Sequence, residues 1–469
     1  MATFIFGAST YGNEAYKILS KSHEITAFID NDEKKHNKIF NDKKIVSLDA
    51  IKQTNSMHII ICSQFYLEIA RQLINNNIKK FSIFQFITSN IADNLSDYIV
   101  QDYDFTERDL NKKTDEIVLY SSNPSGSNTL CLYNEARIKK IKGHERLKLI
   151  NIEKTSSKFL EEMLFSKNIV TTHDTFTSKD SNYIQLWHGF PLKGLNYMSR
   201  YQPEKSQHKN HQYWQNYSLI CSYSNTYSSL MGACYGVPID KFSITGVPRN
   251  DLLINSRLQL KKIESAAKNC SLLFYLPTFR STRFGQKNGD AQTSLFNMPV
   301  DNISKFDTFL ENNKIKIVIK LHPYQDNKTK IAEVAKQTKN IIFLTEKDLT
   351  DEGVDLYNIL SAFDALITDY SSVYFDYLLC DKPIIFTPTD YDKYNNDRGF
   401  LLEPYDFWSP GPKCFDQKTF EFSILEALNE PMKYSTARST IKSIVHHFDD
   451  SSSTERVLNN IIQVIDKKS

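Results

Sequence analysis

Two histidines and one serine-rich turn are the residues of this chain whose settings suit chemistry. His188 follows an apolar strand ending at Leu186 and precedes Gly189 and Pro191, so the chain turns where the imidazole emerges. His322 ends the run Lys316-Ile-Val-Ile-Lys-Leu-His-Pro323 in the same way. Open α/β sheets carry their chemistry at the carboxyl ends of strands. A histidine there can take a proton from a hydroxyl, because its pKa lies near working pH; a structural histidine is the alternative at each position. The third feature is Ile367-Thr-Asp-Tyr-Ser-Ser-Val-Tyr-Phe-Asp376. The apolar Ala365, Leu366 and Ile367 lead into Asp369, Ser371 and Ser372, three side chains that cap helix N-termini, and then into the apolar residues of a helix. Such a start aims unpaired N–H groups and the positive end of the dipole at the space above the sheet, which suits phosphate. A capped helix without a ligand is the other reading of the same residues.

The elements needed to hold these groups recur along the chain. Residues 1–90 read as a small Rossmann-like domain, with a strand at Phe4, a turn from Gly7 to Gly12, a helix over 14–19 and a second strand over 25–29 that ends at Asp30. The G-x-S-x-x-G spacing, with Asp30 where an acidic ribose ligand would stand, outlines an N-terminal nucleotide site at Gly7, Gly12 and Asp30. Ser9 replaces the glycine that admits a pyrophosphate closely, so a structural or docking domain is the alternative. Residues 91–115 are polar and charged, a connector. Residues 116–255 form an α/β domain that carries His188. In it the basic run 137–148 reads as a solvated helix face or as a contact for an anionic membrane surface, and residues 194–217 as a mobile or acceptor-facing loop. Arg249 and Asp251 open a helix after Gly246. Residues 256–469 form a second α/β domain with Arg280 beyond its first strand, then His322, Asp355, the serine turn with Asp376, and C-terminal helices.

Composition narrows the class. A chain of 469 residues exceeds one ordinary core and calls for two or three domains. Lys+Arg 57 against Asp+Glu 55 gives a net charge of +2, which excludes nucleic acid as the main partner. The 25 Tyr and 30 Phe belong to a large folded core. Seven dispersed cysteines without a C-x-x-C pair read as reduced thiols in a cytoplasmic protein, not as a disulfide frame or a zinc site. No Asp/Glu/His cluster has metal-ligand spacing, so no metal site is expected. No signal peptide and no apolar run of roughly 20 residues is visible. Any membrane contact is therefore expected to be peripheral, at the cytoplasmic face.

Seven blocks in fixed order carry a resemblance. They are Trp187-His188-Gly189 with Pro191 and Lys193; Gly246-Val-Pro-Arg-Asn-Asp251; Pro277-Thr-Phe-Arg280; Lys320-Leu-His-Pro323; Thr368-Asp-Tyr-Ser-Ser372 through Asp376; Lys382-Pro383; and Arg398-Gly-Phe400 with Pro410-Gly-Pro412. Over about residues 117–465 the chain resembles the CDP-glycerol glycerophosphotransferases, the primases and polymerases of teichoic acids and related capsules. The resemblance implies a glycosyltransferase-B-type pair of Rossmann-like domains, here behind an extra N-terminal one. It implies a transferase that moves glycerol phosphate or ribitol phosphate from CDP-glycerol or CDP-ribitol to a hydroxyl of a glycan, a lipid-linked saccharide or a growing polymer, with release of CMP.

Carried over residue by residue, His188 becomes the general base and His322 a contact for the transferring phosphate or the pyrophosphate. Ser371 and Ser372 bind the pyrophosphate, with Asp369 ordering their turn. Arg249 and Arg280 neutralise phosphate charge, or serve instead as interdomain ion-pair partners. Asp355 and Asp376 address the ribose or cap helices. Transfer of a phosphoalditol builds charge on phosphoryl oxygens, so positioning and positive electrostatics serve it in place of a tightly bound cofactor. Two features depart from the family. The start of the chain is Rossmann-like instead of basic and amphipathic, and Phe190 stands where a small residue is usual, implying a different acceptor pocket. A nucleotide-sugar glycosyltransferase and a non-catalytic nucleotide-sensing scaffold remain the alternatives.

Overall fold

The computed structural model describes residues 1–86 (except 53 and 55), 98–109, 114–121, 125–151, 157–254, 260–278, 295–298, 302–321, 333 and 337–467. The chain divides into two compact units: residues 1–115 with 152–167, and residues 116–151 with 168–469.

The first unit holds a seven-stranded sheet in the order β3-β4-β2-β1-β5-β6-β7. Its strands are β1 (Ala2–Phe6), β2 (Ile25–Ile29), β3 (Ile39–Phe40), β4 (Lys43–Val46), β5 (Met57–Ile61), β6 (Lys80–Phe86) and β7 (Tyr98–Asp104). The central strands are parallel and carry near-continuous apolar runs, as burial on both faces requires. Two differences from the sequence reading stand out. The expected connector contains β7, which pairs antiparallel with β6 along its whole length, because Tyr103 supplies an apolar contact that the surrounding charges obscured. The helix Ser157–Phe165 belongs to this unit as well: Leu160, Leu164 and Phe165 are buried in the same cluster as Phe4, Ile61 and Leu73. A domain boundary drawn along the chain misses this return.

The second unit contains two parallel sheets. One runs β13-β12-β11-β10-β8-β9, with β8 (Thr114–Ser121), β9 (Leu147–Asn151), β10 (Ser166–Thr171), β11 (Asn182–Gln185), β12 (Tyr217–Ser222) and β13 (Phe242–Ile244). The other runs β16-β15-β14-β17-β18, with β14 (Ser271–Tyr275), β15 (Ile315–Ile319), β16 (Ile341–Phe343), β17 (Ala365–Thr368) and β18 (Ile384–Phe386). In each sheet the chain winds outward in both directions from a central pair, β8 and β10 in one, β14 and β17 in the other. Doubly wound sheets bind ligands in the crevice above such a reversal.

The segment expected as a mobile loop is largely the helix Glu204–Gln215, begun at Pro203, and its Trp214 is buried. The last helix, Ser453–Asp466, places Val457, Leu458, Ile461 and Ile465 in the core of the β8–β13 sheet, not the sheet of the C-terminal half to which it was assigned. Its first N–H groups, Ser453 N and Thr454 N, donate to the buried carboxylate of Asp251 at 2.9 and 2.8 Å. That cap fixes where the chain crosses back. All seven cysteines are free thiols. Among the described residues no helix is long and apolar enough to cross a membrane.

Candidate active site

His188 lies just past β11 and leans over the neighbouring strand. Its Nδ1 is 2.8 Å from the carbonyl oxygen of Thr172, the residue after β10. A carbonyl can only accept, so Nδ1 carries the proton and Nε2 presents its lone pair. That is the tautomer a general base needs. Two other rings pack on it: His173 stacks with centroids 4.3 Å apart and planes 11° from parallel, and the Trp187 ring lies with its centroid 4.2 Å away at 32°. Burial first, and then the neighbouring His173, push the His188 pKa well below the ordinary histidine value, only partly countered by the Thr172 carbonyl. The imidazole is therefore neutral and able to accept a proton at neutral pH.

The backbone beneath His188 is strained and braced. Trp187 adopts φ 52°, which an L-residue with a large side chain rarely accepts, and such a conformation costs about 1–3 kcal/mol. Gln185 Oε1 accepts from Trp187 N at 2.9 Å, and Asn128 Nδ2 donates to the Trp187 carbonyl at 2.9 Å. The indole packs against Trp214 and Tyr235, both of which donate to Asp174, at 2.7 and 3.1 Å. Burial raises the Asp174 carboxyl to about 6. His173 and Asp174 escaped the sequence reading; the available signal was their place immediately after β10, beside the point where the strand order reverses.

The serine turn meets this loop directly. Gly189 has φ 154°, and a Cβ placed on it would lie 2.6 Å from Ser372 Oγ. Only glycine allows the residue after the histidine to approach that hydroxyl. Asp369 is fully buried, and its Oδ1 accepts from Thr278 N at 2.7 Å, Thr278 Oγ1 at 2.6 Å and Tyr370 N at 2.6 Å. It thus joins the ends of β14 and β17 at the reversal of the second sheet. The expectation of a side-chain-capped helix is corrected in detail. Ser372 is already in right-handed helical geometry and makes no side-chain cap, and the helix Val373–Tyr377 has five residues before it tightens at Leu378–Cys380. A dipole of that length is small, so what the turn offers is mainly the partly exposed serines themselves.

Arg249 takes the ion-pair role instead of facing a phosphate. Its Nη2 lies 2.5 Å from Asp376 Oδ2, and its Nη1 donates to the carbonyls of His188 at 2.9 Å and Gly126 at 3.3 Å. Tyr357 adds its ring 4.8 Å from the guanidinium and donates its hydroxyl to Asp376 at 2.7 Å. Asp376 is therefore engaged inside the helix Val373–Tyr377 and caps nothing. Asp355 caps the helix Leu356–Leu360 through Tyr357 N at 2.8 Å and accepts Gly126 N at 2.7 Å, so its oxygens serve the protein's own backbone. Phe190 is also not a pocket wall: it is buried against Tyr223, Tyr227 and Phe375. The His188 loop is tied further by a bridge between Lys193 and Phe400, with Leu401 N donating to Leu192 O at 2.8 Å. Burial, and then Arg398, lower the Lys193 amine to about 8. His322 and Arg280 lie outside the described residues.

In the first unit, Asp30 accepts from Ala8 N at 3.0 Å, Asp32 N at 2.8 Å and Lys35 Nζ at 2.8 Å. A Cβ on Gly12 would lie 1.7 Å from Gly7 O, so the glycine spacing serves close packing of the first helix on its turn. That helix begins earlier than expected, at Thr10, with Ser9 accepting from Gly12 N. The acid and glycines of the outlined nucleotide site are thus engaged by the protein itself.

A histidine presented at a strand end, set against a polar turn at the reversal of a second parallel sheet, gives a two-sheet α/β architecture with one candidate site. The comparisons give the family: residues 104–463 match the model of the CDP-glycerol:poly(glycerophosphate) glycerophosphotransferases, and the chain belongs to that family. Residues 2–84 match a separate model, the N-terminal domain of C2185-like proteins. Among curated relatives, the teichoic acid ribitol-phosphate polymerase TarL of Staphylococcus aureus (strain NCTC 8325 / PS 47) is 26% identical over 60% of this chain and 48% of its own length. The teichoic acid glycerol-phosphate primase of Bacillus subtilis (strain 168) is 27% identical over 65% of this chain and 75% of its own. The chain spans about half the length of the polymerases it matches. The wall teichoic acid polymerase TagF has the same fold, with a TM-score of 0.60 at 16% identity, covering 77% of this chain and 92% of that one.

Proposed function

We propose that this protein transfers glycerol phosphate or ribitol phosphate from its CDP donor to a hydroxyl of a glycan, lipid-linked saccharide or growing teichoic-acid-like or capsular polymer, releasing CMP. The observation that carries this reading is the His188 tautomer: a neutral imidazole, its Nδ1 tied to Thr172 and its neighbour Gly189 pressed to Ser372. His188 Nε2 takes the acceptor hydroxyl's proton as the oxygen attacks the β-phosphorus; the bond to the CMP oxygen breaks, and CMP leaves with the electron pair. Ser371 and Ser372 donate to the pyrophosphate oxygens on which charge collects. Arg249 and Asp376 act as a strut that holds the His188 carbonyl. His322 and Arg280 stay as proposed phosphate contacts. The family membership supports the donor class, and no tightly bound cofactor enters the reaction. The protein would work in the cytoplasm, with the run 137–148 as a peripheral contact to anionic membrane.

Incubating the full chain with CDP-glycerol or CDP-ribitol and a matching acceptor should release CMP. His188→Ala should lower that rate at least about 100-fold, the usual contribution of a general base. Turnover near wild type in this variant rules out the base assignment, and release of a different nucleotide in a donor screen rules out the donor class.

A further inference from the structure

A pocket of about 610 Å³ opens at the carboxyl end of β18, outside the residues described above. Its volume lies in the range of about 300–1,000 Å³ usual for small-molecule sites. It is attached to the serine turn by two hydrogen bonds. Tyr370, between Asp369 and Ser371, donates its hydroxyl to Asp390 at 3.2 Å, and Tyr405 donates its hydroxyl to the Asp369 carbonyl at 3.0 Å. Both Asp390 and Tyr405 line the pocket. Whatever fills it therefore sits next to the turn proposed to hold the donor.

The lining pairs aromatic faces with short charged groups. Phe415 is 57% exposed and belongs to the wall, so its ring face is open to whatever enters the pocket. Tyr391 is only partly buried; one face stacks on Phe400, with planes 14° apart. Around these rings stand Asp390, Asp392 and Asp406 against Lys393 and Lys413, three carboxylates to two ammonium groups. Lys413 lies 3.7 Å from Asp406 and donates to the Ser409 carbonyl at 2.6 Å, so its charge is largely answered within the protein. The pocket thus carries a slight negative balance, which opposes a phosphate-bearing ligand. A ring of C–H groups bearing hydroxyls fits both features. Its weakly positive C–H face packs on the negative face of an aromatic ring, and its hydroxyls donate to carboxylates.

We propose that this pocket is a subsite for a neutral saccharide unit of the acceptor, with Tyr391 and Phe415 as its platforms and Asp392 and Asp406 as hydroxyl acceptors. The inference rests on the reading that the protein transfers to a glycan-bearing acceptor. It is separable from the donor half of that reading, because saccharide binding needs no turnover.

The test is saturation-transfer NMR on the full chain with the methyl glycosides of glucose, galactose and N-acetylglucosamine, and with glycerol 3-phosphate as the anionic probe. At least one neutral glycoside should bind, and Tyr391→Ala with Phe415→Ala should weaken it about tenfold, the loss expected for two aromatic contacts. Phe415→Ala alone, at an exposed position where folding is safe, should weaken it by a smaller factor, and Asp392→Asn likewise. Absence of glycoside binding, binding unchanged in all these variants, or preference of the pocket for glycerol 3-phosphate would overturn the proposal. A parallel titration with CDP separates the two readings. If CDP binds and no glycoside does, the subsite proposal alone fails; if CDP does not bind, the donor assignment fails whatever the glycosides do.

Discussion

Two strand-to-helix turns in this protein look alike in sequence and differ in what they leave open. At the turn after β1, Ala8 N donates to Asp30, the residue after β2, which is also reached by Asp32 N and Lys35, and the glycines close the helix onto the turn. After β17, Asp369 turns inward to Thr278 and Tyr370, and Ser371 and Ser372 remain partly exposed beside the His188 loop. Each turn also has an ion pair near it. Lys35 and Asp30 stand 2.8 Å apart with side chains 34% and 13% exposed, whereas Arg249 and Asp376 stand 2.5 Å apart at 6% and 0%. An acid that closes its own crevice gives a structural turn; an acid that ties two strands together behind a pair of serines gives a turn that can face a ligand.

That contrast can be broken most sharply at the ion pairs. Asp376→Ala leaves a buried guanidinium without its counter-charge, a loss of about 3–5 kcal/mol. Lys35→Met removes a partly solvated pair and should cost no more than about 1 kcal/mol. Denaturant unfolding of the two variants measures both, and equal losses would mean that burial does not distinguish the two regions. Gly189→Ala comes next. It adds a Cβ at φ 154° against Ser372 Oγ, with strain of about 1–3 kcal/mol, and should lower CMP release more than it lowers stability. An unchanged rate would mean that the contact between the two loops does not position the reacting groups.

The smallest effect belongs to His173. Burial, and then His173, hold the His188 pKa below its ordinary value. A base works only above its pKa, so the acid limb of the kcat/KM profile should fall below about pH 6.5 in the wild-type protein. His173→Ala removes a lowering influence, the His188 pKa rises, and the limb should move toward higher pH. A limb that stays in place would show that the stacked ring only packs.

Much of the site was legible because it depends on local rules. The apolar runs before Leu186, Ile319 and Thr368 specify buried strands, and glycine, proline and serine after them specify turns, so His188, Ser371 and Ser372 fall at strand ends by spacing alone. The ordered blocks around them identify the family from the same residues. The N-terminal β-strands follow from the same reading, although Ser9 as a cap, and hence the earlier helix start, required the hydrogen bond itself.

What the chain could not declare is which polar group meets which. Arg249 and Asp376 are 127 residues apart, and Gly126 and Asp355 are 229 apart. An aspartate's two oxygens look the same in sequence whether they await a ribose or hold a backbone N–H; only the topology that brings distant loops together decides. The same holds for the helices Ser157–Phe165 and Ser453–Asp466, whose apolar faces are plain in sequence but whose partner sheets are not. Sequence determined the strands, the turns and the reactive residue types, since these follow from short-range periodicity and turn chemistry. Tertiary structure decided that the His188 imidazole is Nδ1-anchored and neutral, that Arg249 is a strut and that Asp30 is closed, since burial and long-range partners set protonation and availability.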